Sequence, residues 1–185
     1  MSAAAPRPGD IHEAPPTVRS LYLVRHAPAF DHDPVAWPDD ALRPLTPTGQ
    51  KRFRKTARGV KRLVGAVDVV LSSPFVRAWQ TAEILTEAAR WPAATQCGAL
   101  EVGGDPDEVV QALIERSGVS AIALVGHEPG LHELAAYLIC GHRDTTLFEL
   151  KKGGVACVSL ATEPQPGTAV LRWLVTPKQL RAVGS

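Results

Sequence analysis

Leu21-Tyr22-Leu23-Val24-Arg25-His26-Ala27 is a short, almost wholly apolar run of β-forming residues that ends abruptly in an Arg-His pair. Such a run suits a strand buried in a sheet covered on both faces. In open α/β sheets, ligands bind in the crevice beyond the carboxyl ends of the strands. Arg25 and His26 are therefore expected where chemistry occurs. Arginine is always charged and its planar fork suits phosphate. Histidine titrates near neutral pH and serves as acid, base or nucleophile. The pair points to an imidazole working beside a bound anion. The alternative is a strand that ends in two solvated polar residues, and this segment alone does not separate the two.

Working outward, the first strand covers Ser20 to Arg25. A long loop follows to Leu45, with four prolines and several aspartates. Ordered loops of that length are often functional. Thr46-Pro47-Thr48-Gly49 opens a helix through about Val64, with a capping Thr and a Pro in the first turn. Its apolar side is Phe53, Ala57, Val60 and Val64. Val67 to Ser72 reads as a second strand, and Ser73-Pro74 starts a helix through about Arg90. Residues 94–100 hold a short edge strand. Asp105 caps a third helix through about Arg116. Ala121 to Gly126 is a strong strand that delivers His127, and Pro129-Gly130 begins a helix through about Cys140. Residues 155–161 and 169–175 are two adjacent strand-like runs joined by a Pro/Gly turn. A last short helix follows Pro177. Strands alternating with helices predict a three-layer α/β/α sandwich. Its central sheet is mostly parallel and carries an antiparallel edge hairpin.

The chain has 185 residues, which suits one domain over residues 20–185. Residues 1–19 are rich in Ala and Pro, lack the apolar core of a secretory signal, and read as a disordered extension. Twenty basic residues against 19 acidic give a net charge of +1, so charge supports neither nucleic-acid nor membrane binding. Any cationic function must be local. Cys97, Cys140 and Cys157 are far apart and odd in number. They read as thiols in a reducing compartment and not as a disulfide framework or zinc site. No apolar run approaches the ~20 residues of a membrane span. The expected location is the cytoplasm.

Three strands end in polar residues: Arg25-His26, Ser72-Ser73 and His127-Glu128. If the strands are parallel neighbours, those ends meet in one crevice. Arg77, one turn into the second helix, would point into it, and the helix N-terminus would add anion affinity. Two arginines, two histidines and a helix terminus make a phosphate pocket. Taken alone, Arg77 reads as a solvated helix residue and His127 as a satisfied core histidine. Those separate readings weaken because every strong strand delivers a candidate to the same edge. His132 has no acidic partner at metal spacing, and His12, His32 and His142 read as bystanders.

Arg25-His26-Ala27, Arg43-Pro44-Leu45-Thr46, Ser72-Ser73-Pro74 with Arg77-Ala78 and Thr81-Ala82, and Gly126-His127 follow one another in order. This set resembles the histidine phosphatase, or phosphoglycerate-mutase-like, superfamily, and within it the small SixA-type phosphohistidine phosphatases. The resemblance runs from about Leu21 to Trp173. It implies that His26 is the nucleophile and is transiently phosphorylated. It implies that Arg25 and Arg77 hold the phosphoryl oxygens and that His127 donates a further hydrogen bond. Positioning and electrostatic stabilisation dominate phosphoryl transfer, and two arginines supply both. Like charge from them should also keep His26 neutral. The resemblance implies neither a metal nor a cofactor, since cationic side chains take that place.

There are two departures from the family pattern; the first is a small change that the SixA-type pattern tolerates, and the second bears on substrate. Ala27 stands where the family usually has Gly, and Glu128 follows His127 where SixA-type chains often have an apolar residue. Glu101 lies near the position of the acidic proton donor in the mutase-like branch. Glu128 and Glu101 are thus candidate general acids, or else solvated loop carboxylates. An alkoxide leaving group wants a proton, whereas an imidazole depends less on a dedicated acid. The expectation is a phosphatase for phosphohistidine on a phosphotransfer protein. The alternative is a small-molecule phosphomonoesterase using Glu128 or Glu101. A third reading, a phosphate-binding adaptor without turnover, leaves the nucleophile without a purpose. The loop 30–43 is the candidate lid.

Overall fold

The computed structural model describes residues 19–143, 148–161 and 163–185. The extension expected over residues 1–19 therefore lies outside the described residues, except for Arg19. Its chain order is β1 (Arg19–Arg25), α1 (Pro47–Val64), β2 (Val69–Ser72), α2 (Val76–Ala89), β3 (Thr95–Gln96), α3 (Pro106–Ile114), β4 (Ala121–Gly126), α4 (Gly130–Cys140), β5 (Val155–Leu160), β6 (Val170–Val175) and α5 (Pro177–Val183). One-turn 3-10 helices cover Asp40–Leu42 and Gly98–Leu100.

The sheet order is β3-β2-β4-β1-β5-β6. β1, β2, β3 and β4 pair in parallel, and β5 joins antiparallel to β1 and to β6. This is the expected mostly parallel sheet with an edge hairpin. Alternation along β1 divides the core. Val24 and Tyr22 pack with Phe53, Ala57 and Val60 of α1 and with Ala82 and Leu85 of α2. Leu21 and Leu23 pack with Leu113 of α3 and with Leu131, Leu134 and Leu138 of α4. Each fully buried Leu of this kind contributes about 2 kcal/mol. Helices thus cover both faces, and β1 is apolar on both, as its sequence requires.

Local chemistry sets the element ends. Thr46 Oγ1 accepts the Gly49 N–H at 2.9 Å, with Pro47 at the first helical position of α1. A Cβ on Gly49 would fall 2.1 Å from the Pro28 carbonyl oxygen, so only glycine lets the chain after His26 lie against this helix start. Thr176 and Gln179 form a reciprocal capping box on α5.

Several boundaries differ from the sequence reading. β1 starts at Arg19, a residue 2% exposed, whose guanidinium donates to the carbonyls of Val119, Leu113 and Arg116. It caps the end of α3 instead of belonging to a tail. α3 stops at Ile114, and residues 115–118 form turns closed by hydrogen bonds such as Ser117 N–H to the Ile114 carbonyl. α2 starts at Val76, later than Ser73-Pro74, because Ser73 Oγ accepts the Phe75 N–H at 3.2 Å and holds a turn. The edge strand expected over residues 94–100 shrinks to Thr95–Gln96 and a 3-10 turn.

Candidate active site

The carboxyl ends of β2, β4 and β1 lie side by side, so Ser73, His127 and His26 emerge in one crevice. Two features lock His26 there. Its N–H donates to the Gly126 carbonyl at 3.0 Å, and the Ala27 N–H donates to Thr81 Oγ1 at 3.0 Å. Thr81 in turn donates to the Arg77 carbonyl at 2.7 Å. The spacing of Arg77 and Thr81, one helical turn apart, thereby ties α2 to the residue after the histidine.

His26 is 6% exposed. Its Nδ1 lies 2.7 Å from the Ala27 carbonyl oxygen. A carbonyl only accepts, so Nδ1 carries the proton and Nε2 keeps its lone pair. Burial is the first cause that disfavours imidazolium. The Ala27 carbonyl opposes it, and the charges of Arg77, Arg25 and Lys152 reinforce it. Together they push the pKa of His26 down to about 3. Sequence reasoning expected the arginines to keep this imidazole neutral; they contribute, but burial leads. At neutral pH His26 is a neutral imidazole with a free Nε2.

His127 is 4% exposed, and its ring centroid lies 5.2 Å from that of His26. Its Nε2 lies 2.9 Å from Ser73 Oγ. The Ser73 oxygen already accepts the Phe75 N–H. Its own hydroxyl proton is best used on His127 Nε2, which leaves Nδ1–H as a donor. Burial, then His26 and Arg77, push the pKa of His127 down to about 3.

Arg77 is 3% exposed and is held by a residue that the sequence reading did not single out. Its Nη1 donates to the Asp40 carbonyl at 2.8 Å, and its Nη2 donates to Asp40 Oδ2 at 2.9 Å. Asp40 also accepts from Arg43 Nε at 2.7 Å and contacts His32 Nδ1 at 3.2 Å. The Arg43 bond is the main reason that the Asp40 carboxyl sits well below the usual carboxylate range. His32 touches this network from its solvent side, with its side chain 69% exposed. The loop 30–43, read as a lid, is pinned here. Arg43 Nη1 donates to the Phe30 carbonyl, and Leu45 N–H donates to Gln80 Oε1 of α2.

Arg25 Nη1 donates to the Leu150 carbonyl at 2.9 Å. This contact exists because β5 runs antiparallel to β1, so the segment leading into β5 arrives at the end of β1. Gly153 N–H donates to the carbonyls of both Arg25 and His26.

Four buried side-chain polar atoms have no hydrogen-bond partner among the described residues: Arg25 Nε, Arg77 Nε, His127 Nδ1 and Glu128 Oε1. Every one belongs to a residue singled out from the sequence. Buried N–H groups left unpaired cost about 1–3 kcal/mol each, so three in one crevice mark a place for acceptor oxygens. A tetrahedral oxyanion bound near His26 Nε2 would satisfy them.

Glu128 lies on the Arg25 side of the crevice. The two help to line a depression of about 400 Å³ with His132, Phe148 and Leu150. Burial raises the Glu128 pKa above the ordinary carboxylate value, against the pull of Arg25. Glu101 lies on the other side and shares with His127 the lining of a cavity of about 10 Å³, room for about one water. Glu128 is not a solvated loop carboxylate; Glu101 is half-buried in a turn. Among the described residues, no three His, Cys, Asp or Glu side chains gather at metal-binding distance, and no helix is long and apolar enough to cross a membrane.

The profile of the Histidine phosphatase superfamily (branch 1) matches residues 21–103. An uncharacterized protein of Picosynechococcus sp. is 33% identical over 150 residues, which is 73% of this chain and 81% of the relative. The phosphohistidine phosphatase SixA of Escherichia coli (strain K12) is 26% identical over 168 residues, which is 87% of this chain and 96% of the relative. The solved structure of the protein histidine phosphatase SixA complexed with tungstate superposes with a TM-score of 0.75 at 27% identity, covering 87% of this chain and 99% of that one. The chain belongs to the histidine phosphatase superfamily and is a phosphatase similar to its SixA-type members.

Proposed function

We propose that this phosphatase removes the phosphoryl group from phosphohistidine on a phosphotransfer protein, through a covalent intermediate on His26. The observation that carries the reading is the neutral, Nδ1-protonated His26 beside three unpaired buried nitrogens. Nε2 attacks phosphorus, and the phosphorus–nitrogen bond of the substrate breaks. The leaving imidazole, protonated on its distal nitrogen, departs neutral. Arg25, Arg77 and His127 hold the phosphoryl oxygens throughout and stabilise the equatorial charge of the transition state. Water then attacks phosphorus, the electron pair of the His26 bond returns to Nε2, and inorganic phosphate leaves. The likeness to a phosphohistidine phosphatase supports the substrate class. So does the short connection from α2 to α3, which holds only a two-residue strand and a one-turn helix and so builds no cap over the crevice. A folded substrate can reach such a site.

A second reading rests on Glu128. A carboxyl whose proton affinity is raised by burial, beside Arg25, is a candidate donor to an alkoxide, which fits a phosphomonoesterase. Side-by-side turnover decides between them. Wild type and Glu128→Gln are assayed on a phosphohistidine-bearing phosphotransfer domain and on a panel of phosphate monoesters. Fast loss of phosphohistidine that survives Glu128→Gln supports the first reading. Efficient hydrolysis of one ester, lost in Glu128→Gln, with phosphohistidine untouched, replaces it with the second.

A further inference from the structure

The whole chain is nearly neutral, yet its cations are not evenly spread. Seven of the 18 residues of α1 are Lys or Arg and none is Asp or Glu, which places more than a third of the 20 basic residues on one helix. All seven are exposed. Only Arg54 has an acidic neighbour among the described residues, Glu87 at 3.7 Å. Self-repulsion within such a face offsets stability, since like charges three or four residues apart are destabilising. A concentration of this kind calls for a reason outside the helix.

The geometry relates this face to the crevice. Lys51, Arg52 and Lys55 of α1 and Arg181 of α5 line an open groove of about 590 Å³. Arg52 and Arg181 also line a smaller hollow of about 160 Å³, together with Lys152, Gly153 and Pro28. Gly153 is hydrogen-bonded to the His26 carbonyl, and Pro28 lies two residues beyond His26. Lys152 is close enough for its charge to act on the His26 ring. A continuous cationic track therefore leads from the rim of the reactive histidine, through Lys152, onto the groove between α1 and α5. Close packing of those helices keeps it in place: a Cβ on Gly59 would fall 1.9 Å from the Leu180 carbonyl oxygen.

We propose that the groove between α1 and α5 is the docking surface for an acidic face of the protein that presents the phosphoryl group, with Lys51, Arg52, Lys55 and Arg181 as its cations. The proposal rests on the function read above and adds the partner's charge and its direction of approach. Continuity with a crevice read as taking phosphohistidine favours a protein substrate, since neither a nucleic acid nor a lipid carries histidine. An anion held on this track and at His26 together must be one body carrying both a phosphoryl group and extended negative charge. Such a surface acts through association rate, and it weakens as salt shortens the screening length to about 8 Å at physiological ionic strength.

The test is the double variant Lys51→Glu/Lys55→Glu. Both residues are exposed on α1, and glutamate is a good helix former, so the fold is expected to persist. The probes are an acidic phosphotransfer domain phosphorylated on histidine, and free phosphohistidine. The expected result is a fall of about ten-fold or more in kcat/KM on the phosphorylated domain, with a flattened salt dependence. Turnover of free phosphohistidine should stay as in wild type. Wild-type turnover of the domain that is unchanged in the variant overturns the docking surface and leaves the functional reading standing. A wild type inert towards both probes overturns both. A variant unchanged on the domain that has lost retention on anionic phospholipid vesicles or duplex DNA reassigns the track to that surface.

Discussion

Asp40 grips Arg77 twice, through its carbonyl to Nη1 at 2.8 Å and its carboxylate to Nη2 at 2.9 Å, and so leaves Nε of the buried guanidinium without a partner. The pair converts a flexible cation into an oriented one. An unpaired buried charge would cost several kcal/mol, and Asp40 offsets that cost while reaching solvent itself, at 32% exposed. Lysine could not replace Arg77, because the grip uses both ends of the planar fork.

Asp40→Ala is therefore expected to loosen Arg77 without touching the substrate. Misplacing a phosphoryl clamp by about 1 Å can cost up to ~100-fold in rate, so a fall of about 10- to 100-fold in kcat/KM is expected, with weaker vanadate inhibition. Stability should fall by about 1–2 kcal/mol, discounted from the fully buried case because Asp40 is partly solvated. Steady-state kinetics with a vanadate titration and urea unfolding check this. Unchanged inhibition by vanadate would mean that the Asp40 carboxylate does not position Arg77.

His26→Ala should abolish turnover while leaving far-ultraviolet circular dichroism as in wild type. Losing a nucleophile of this type costs at least about 1000-fold. Rapid acid or base quench with labelled substrate should trap acid-labile, base-stable phosphate on wild type and none on the variant. A labelled His26→Ala protein would move the nucleophile elsewhere.

Stability should decline in mildly acidic solution. His26 and His127 have folded pKa values of about 3, below their ordinary value of 6.5. Between those limits the unfolded chain binds more protons than the folded one, so stability rises with pH. Their contribution is fully present above pH ~6.5 and is lost as pH falls towards 3, by up to about 1.4 kcal/mol per pH unit for each ring. Urea midpoints from pH 7 to 4 report the slope, and His26→Ala should show about half of it. A flat profile would mean that the two rings are solvated in solution.

Much of the fold was legible because local rules and the burial pattern agree. Leu21 to Val24 is apolar on both faces, so it can only be an inner strand, and Thr46-Pro47 can only begin a helix. Boundaries were missed where a side chain took a tertiary job. Ser73 would cap a helix in isolation, but here it holds a turn and meets His127. Arg19 would join a polar tail, but here it closes the end of α3.

The amino-acid sequence by itself determined the sheet, its helices, the placing of Arg25, His26 and His127 at strand ends, and that of Arg77 near the start of a helix. Their types and order follow from local periodicity, and the crevice follows from the strands being parallel. Only the tertiary structure decided what holds them. Asp40 sits in a Pro-rich loop 37 residues before Arg77, and Leu150 lies 125 residues beyond Arg25. No spacing rule links such positions, because chain reversal and the antiparallel entry of β5 bring them together. Tertiary structure also set the direction in which proton affinities shift. How far His26 and Glu128 are removed from water is set by the packing of distant segments, and that removal is the leading cause of both pKa shifts.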